Sequence, residues 1–184
     1  ELEERIKELI KKVRDVLRKS KEEVDKVIRK SEEVVRETEK LVEDIIRRVE
    51  KVLDEVRKRI KDKDTLKEVK ELAETVIRKL EKILRDNKEL VDRDIERLKK
   101  VARESEKHIR EVERELEEVL KKLKTKELVR TLERRVEEVL RRNEELVKRV
   151  REESDRSIDR SRRSLERAEE DVDRVLKEVK DRTT

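Results

Sequence analysis

His108 is the only histidine in the chain, and there is no cysteine. Its candidate chemistry is therefore proton transfer within a Ser, His and acid set, which needs a carboxylate close enough to orient the imidazole. Ser105 lies one helical turn away, but the nearest acid at the centre of an apolar stripe is Asp94, 14 residues off, or about 21 Å along a helix. Asp94 cannot hold the ring at that distance. His108 reads instead as a structural residue at the edge of the stripe, near Leu17 and Leu140, or as a pH-sensitive neighbour of a polar layer. One His without Cys, and without Glu-x-x-His pairs, supplies too few inward ligands for a metal. Neither an enzyme nor a bound cofactor is expected.

The remaining polar residues inside the stripes have a spacing that suggests a structural use. Ser20, Ser31 and Thr38 are separated by 11 and then 7 residues, and Asn143, Ser154 and Ser161 repeat that spacing. Asn87, Asp94 and Ser105 carry it in reverse, 7 and then 11, as a helix running the opposite way would present it. Three layers follow: Ser20 with Ser105 and Asn143, Ser31 with Asp94 and Ser154, and Thr38 with Asn87 and Ser161. Buried hydroxyls, amides and carboxylates need hydrogen-bond partners or cost about 1 to 3 kcal/mol each, which is a reason for them to coincide. Asp94 is expected to accept from Ser31 and Ser154, or else to rotate outward to an Arg. The uneven spacing also means that a helix slipped by 7 or 11 residues mismatches at least one layer.

The elements that carry these layers follow from what the chain lacks. Gly, Pro, Met and all aromatics are absent and 59% of residues are charged, which disfavours sheets and irregular loops. Periodicity excludes disorder. Leu2, Ile6, Leu9, Ile10, Val13, Val16 and Leu17 recur 18 residues later as Val24, Val27, Ile28, Val34 and Val35, and again as Val42, Ile45, Ile46, Val49, Val52 and Leu53. Eighteen residues in five turns is the 3.6 period of an ordinary α-helix, so little supercoil is expected.

The stripe breaks twice. At Lys61-Asp62-Lys63-Asp64 it gives way to Thr65-Leu66-Lys67-Glu68, which reads as a capping box with Thr65 at the N-cap. At Lys124-Thr125-Lys126, Thr125 is the expected N-cap. Three helices are predicted, over about 2–61, 66–123 and 126–181, with stripes that include Leu66, Leu80 and Leu123 in the second and Leu128, Leu132 and Val136 in the third. On one unbroken helix the stripe would jump to another face at each break, whereas folding back lets all three stripes share a core. The fold class is all-α: one up-down-up three-helix bundle of long, nearly straight helices over residues 1–184.

The 18-residue repeat, the Leu/Ile/Val core, the Glu/Lys/Arg surface and the stacked polar layers resemble de novo designed helical bundles with buried hydrogen-bond networks. That resemblance covers the whole chain and rests on style rather than on a motif; turns without glycine depart from it. Spectrin-like three-helix repeats are a poorer comparison, because they lean on core Trp, which is missing here. The resemblance implies a rigid, monomeric structural scaffold with no natural biochemical activity. The alternative is an interaction or switch module that binds an additional helix or self-associates, motivated by Ser157, Ser164 and His108 at the stripe edges.

The charge pattern fits neither nucleic acid nor membrane. Arg156, Arg160, Arg162, Arg163 and Arg167 interleave with Asp155, Asp159, Glu166 and Glu169, the net charge is only +5, and no aromatic is available to stack a base. Apolar runs are too short to span a bilayer or form a signal peptide, and no localisation can be read.

Overall fold

The computed structural model describes residues 1–122 and 125–183. It is an all-α, three-helix bundle: α1 (Leu2–Arg59), α2 (Lys63–Lys121) and α3 (Lys126–Thr183). α1 carries Glu3 and Glu4 in its first turn and Arg57, Lys58 and Arg59 in its last, charges that suit the two ends of its dipole.

The first link is three residues long, Ile60 to Asp62, and no described residue adopts positive φ. Without glycine, the turn is made by helix capping. Ile60 N still bonds Val56 O at 3.0 Å, and Leu66 N bonds Asp62 O at 3.1 Å as the first rung of α2. Asp62 is thus the N-cap. Its Oδ1 accepts from Asp64 N at 3.3 Å and its Oδ2 from the Thr65 hydroxyl at 2.9 Å. These bonds hold the Asp62 carboxyl below its usual pKa, the Thr65 bond contributing most. The expected cap at Thr65 is therefore corrected: α2 begins three residues earlier than that cap implied, and Thr65 becomes the third helical residue, donating back to Asp62. Asp can serve several donors at once where a Thr hydroxyl serves one amide. Among the described residues Glu68 makes no capping bond.

The second link agrees with expectation on its α3 side. Thr125 Oγ1 accepts from Leu128 N at 3.3 Å, and Val129 N bonds Thr125 O at 3.1 Å. The inward position expected for Leu123, and Lys124 of the second break, lie outside the described residues.

Packing divides the chain into two compact units, each built from a part of all three helices: residues 1–30 with 93–155, and residues 31–92 with the chain from Arg156 onward. In the first unit Ile6, Val13, Ile109, Leu116, Val129 and Val136 form the centre of the core. In the second, Val42, Ile45, Val49, Leu80, Leu165 and Val172 do so, and Val52, Val56, Val69 and Val179 form a further cluster. Leu128, expected inward, is 39% exposed, whereas Val129 is fully buried. The column Val129, Leu132, Val136, Leu140 advances by three or four residues and faces the core squarely; Leu128 sits one residue, or about 100°, off it.

Ion pairs record the same register in both units. Lys30 reaches Asp155 in the first and Arg48 reaches Asp173 in the second, each across 125 residues, as parallel α1 and α3 require. α2 runs antiparallel: from Arg14 to Lys21 on α1, the α2 partner moves back from Glu113 to Glu106. Lys88 paired with Glu39 continues that direction within the second unit. Exposed pairs of this kind are worth about 0 to 1 kcal/mol each, so they report register more than they create it. The core supplies the stability, a fully buried Ile or Leu contributing about 1.5 to 3 kcal/mol.

Candidate functional site

The polar layers are the only sequence-predicted constellation to place several polar side chains in the interior, and the structure treats the three differently. The first is closed. Asn143, only 4% exposed, accepts from the Ser105 hydroxyl at Oδ1 and donates from Nδ2 to Ser20 Oγ at 2.5 Å. One amide thereby ties α1, α2 and α3 together, and it can do so because the side chain of Asn is both donor and acceptor. No protein family, curated protein or solved structure matches the chain. What the interior can do must be read from its own geometry.

In the second layer the residues are buried or half-buried but fall on both sides of the division: Asp94 and Ser154 belong to the first unit and Ser31 to the second. Asp94 Oδ2 is buried and, among the described residues, accepts no hydrogen bond. The expected role of Asp94 as acceptor for Ser31 and Ser154 is not seen at this oxygen. A Ser hydroxyl within a helix can turn back to a carbonyl one turn earlier, an outlet that lets it desert a neighbouring carboxylate.

The third layer lies wholly in the second unit. Thr38 and Ser161 are buried and Asn87 is half-buried, so the phase of all three is as predicted. Hydrogen bonding is not: among the described residues Asn87 Nδ2 and Ser161 Oγ have no partner. Phase and bonding are separate requirements. Three hydroxyl or amide groups on facing stripes still bond only if the helices approach to within about 3 Å at their tips, and the short side chains of Ser161 and Thr38 reach less far than Asn.

His108 is corrected from a boundary position to an exposed one, its side chain 70% accessible, with Nδ1 3.9 Å from Glu111 Oε2 on the same helix. Its partner is a surface carboxylate, and Ser105, one turn before it, already donates to Asn143. Among the described residues no three His, Asp or Glu side chains converge as a metal site. No described helix is long and apolar enough to cross a membrane. Arg156, Arg160, Arg162, Arg163 and Arg167 are all exposed, with Asp155, Asp159 and Glu166 exposed among them.

Two further features were passed over by sequence reasoning. Glu106 accepts from Lys21 at 2.9 Å and from Arg110 at 2.9 Å, and these bonds, Lys21 first, hold its carboxyl below the usual range. Arg14 is bound by Glu113 and Glu117, which raises its pKa, the Glu113 bond contributing most. The second feature is an open groove of about 450 Å³ beside the closed layer, walled by all three helices. Its signal in the sequence was Ala102, which occupies the place that Leu84 and Leu120 hold 18 residues to either side.

Proposed function

We propose that this chain is a structural scaffold of the de novo designed kind, a rigid helical bundle whose register is set by buried polar side chains and which has no natural biochemical activity. The observation that carries this reading is the closed layer in which Asn143 bonds both Ser20 and Ser105. Its polar atoms are spent on one another, between helices, and leave a specification of register as their evident use. A helix shifted along its neighbours would strand these groups at about 1 to 3 kcal/mol each.

A second reading, an interaction or switch module that takes up another helix or a second copy, is favoured by one observation. In the stretch beside the closed layer Val24, Ile28, Val101, Leu146 and Val150 are only half-buried. Light scattering separates the two. The scaffold reading expects a mass of 22.5 kDa at all concentrations tested, together with strong helicity. A mass near two or three times that value would transfer the conclusion to the interaction reading.

A further inference from the structure

We infer that the groove beside Asn143 is a binding site for a single-chain anionic amphiphile, an alkyl carboxylate in class. The groove lies entirely within the first unit and holds about 450 Å³. That is the capacity of a small-molecule site, and too narrow for a helix of about 10 to 12 Å diameter.

Its origin is a local shortening of side chains on an otherwise uniform repeat. Ala102 stands where the repeat has Leu84 and Leu120, Val24 where it has Ile6, and Val150 where it has Leu132. Each exchange removes carbon atoms from the same stretch of bundle, and helices spaced by larger side chains on either side cannot close over the gap. The walls left by Val24, Ile28, Val101, Ala102, Leu146 and Val150 are apolar and accept a methylene chain. At one end the closed layer supplies polar atoms already engaged with one another, so the tail meets no unsatisfied group there.

Charge at the rim sets the head group. Lys21 and Glu106, both lining the groove, are occupied with each other at 2.9 Å. Lys99 and Arg103 remain, facing a single further acid, Asp25, and among the described residues none of the three makes an ion pair. Arg103 uses only Nε, donating to the Lys99 carbonyl at 3.4 Å, and so keeps both terminal guanidinium nitrogens for an anion. Two free cations against one acid favour a carboxylate over a neutral or cationic head, and Arg suits a carboxylate by its paired donors.

The test titrates the full chain with dodecanoate and with dodecyltrimethylammonium, both below micelle formation, followed by calorimetry and methyl NMR. The two probes share a tail and differ in charge. Dodecanoate should bind one per chain, at least tenfold more tightly than the cationic probe, with shifts at Val101, Ala102, Leu146 and Val150. Ala102→Leu, which restores the residue of the repeat, should weaken dodecanoate at least tenfold without loss of helicity. Lys99→Glu with Arg103→Glu, both changes at the surface, should abolish the preference for the anion while leaving the fold intact even if the first variant does not fold. Equal affinity for the two probes, indifference to Ala102→Leu, or shifts spread equally to Leu80 and Val172 would each overturn the site. The scaffold reading is judged by mass alone, so either conclusion can fail without the other.

Discussion

Asn143 Nδ2 lies 2.5 Å from Ser20 Oγ, a bond that closes 123 residues of chain and fixes α3 against α1 at a single register. Because the other end of the same amide accepts from Ser105, the bond to Ser20 is held in direction as well as in length. Asn143→Leu, close in size but unable to bond, should destabilise by about 1 to 3 kcal/mol, since it strands two hydroxyls. Adding Ser20→Ala and Ser105→Ala should return most of that loss, because no desolvated polar group then remains. Guanidinium unfolding of the single and triple variants measures both. A triple variant much weaker than the single one would mean that these residues do not act as one layer.

Ser161 should respond in the opposite sense. Its hydroxyl is 2% exposed and without a partner among the described residues, so Ser161→Ala removes a buried polar atom and breaks no bond. The expected result is neutral or stabilising by up to about 1 to 2 kcal/mol. The same guanidinium curves report it. A loss of more than about 1 kcal/mol would show that the hydroxyl is bonded in solution.

Acid should weaken the pairing of Glu106. Its folded pKa lies below the ordinary carboxylate value, held there by Lys21 and then Arg110. The stabilisation is therefore present above the unfolded pKa and is lost as pH falls through the folded one. Glu106→Gln should cost less than about 1 kcal/mol at neutral pH. That difference should vanish in acid and shrink in high salt. Thermal unfolding across pH would detect it, and a gap that widens in acid would refute the pairing.

The α3 start should depend on one hydroxyl. Thr125 Oγ1 caps Leu128 N, so Thr125→Ala should cost about 1 kcal/mol, with Thr125→Asp or Thr125→Ser retaining most of the stability. Amide hydrogen exchange at Leu128 and Val129 would localise the effect. Unchanged protection there in the Ala variant would show that the cap contributes nothing.

By itself the sequence determined the helices, their number and their relative directions. A chain without Gly or Pro, with an 18-residue apolar repeat interrupted twice, has no competing structure that buries its stripes. The reversed spacing of Asn87, Asp94 and Ser105 also announced an antiparallel α2, which the Arg14 to Glu113 and Lys21 to Glu106 pairs display. Periodicity specifies the angle at which a residue leaves its helix, and that is why Thr38 and Ser161 are buried as expected. It does not specify how far apart two helices stand. Tertiary packing decided that distance, and with it which layer closed: Asn143 spans the gap to Ser20 and Ser105, while Asn87 Nδ2 and Ser161 Oγ find no partner among the described residues. Competition between neighbours was equally invisible in one dimension. Asp62 took the cap from Thr65 because its two oxygens answer two donors at once, and Val129 took the core position from Leu128 because only one column of a helix can face the axis of its bundle. A hydrogen bond demands a fit of tenths of an ångström between three separate helices, and the side chains that set such a fit belong to the layers above and below it.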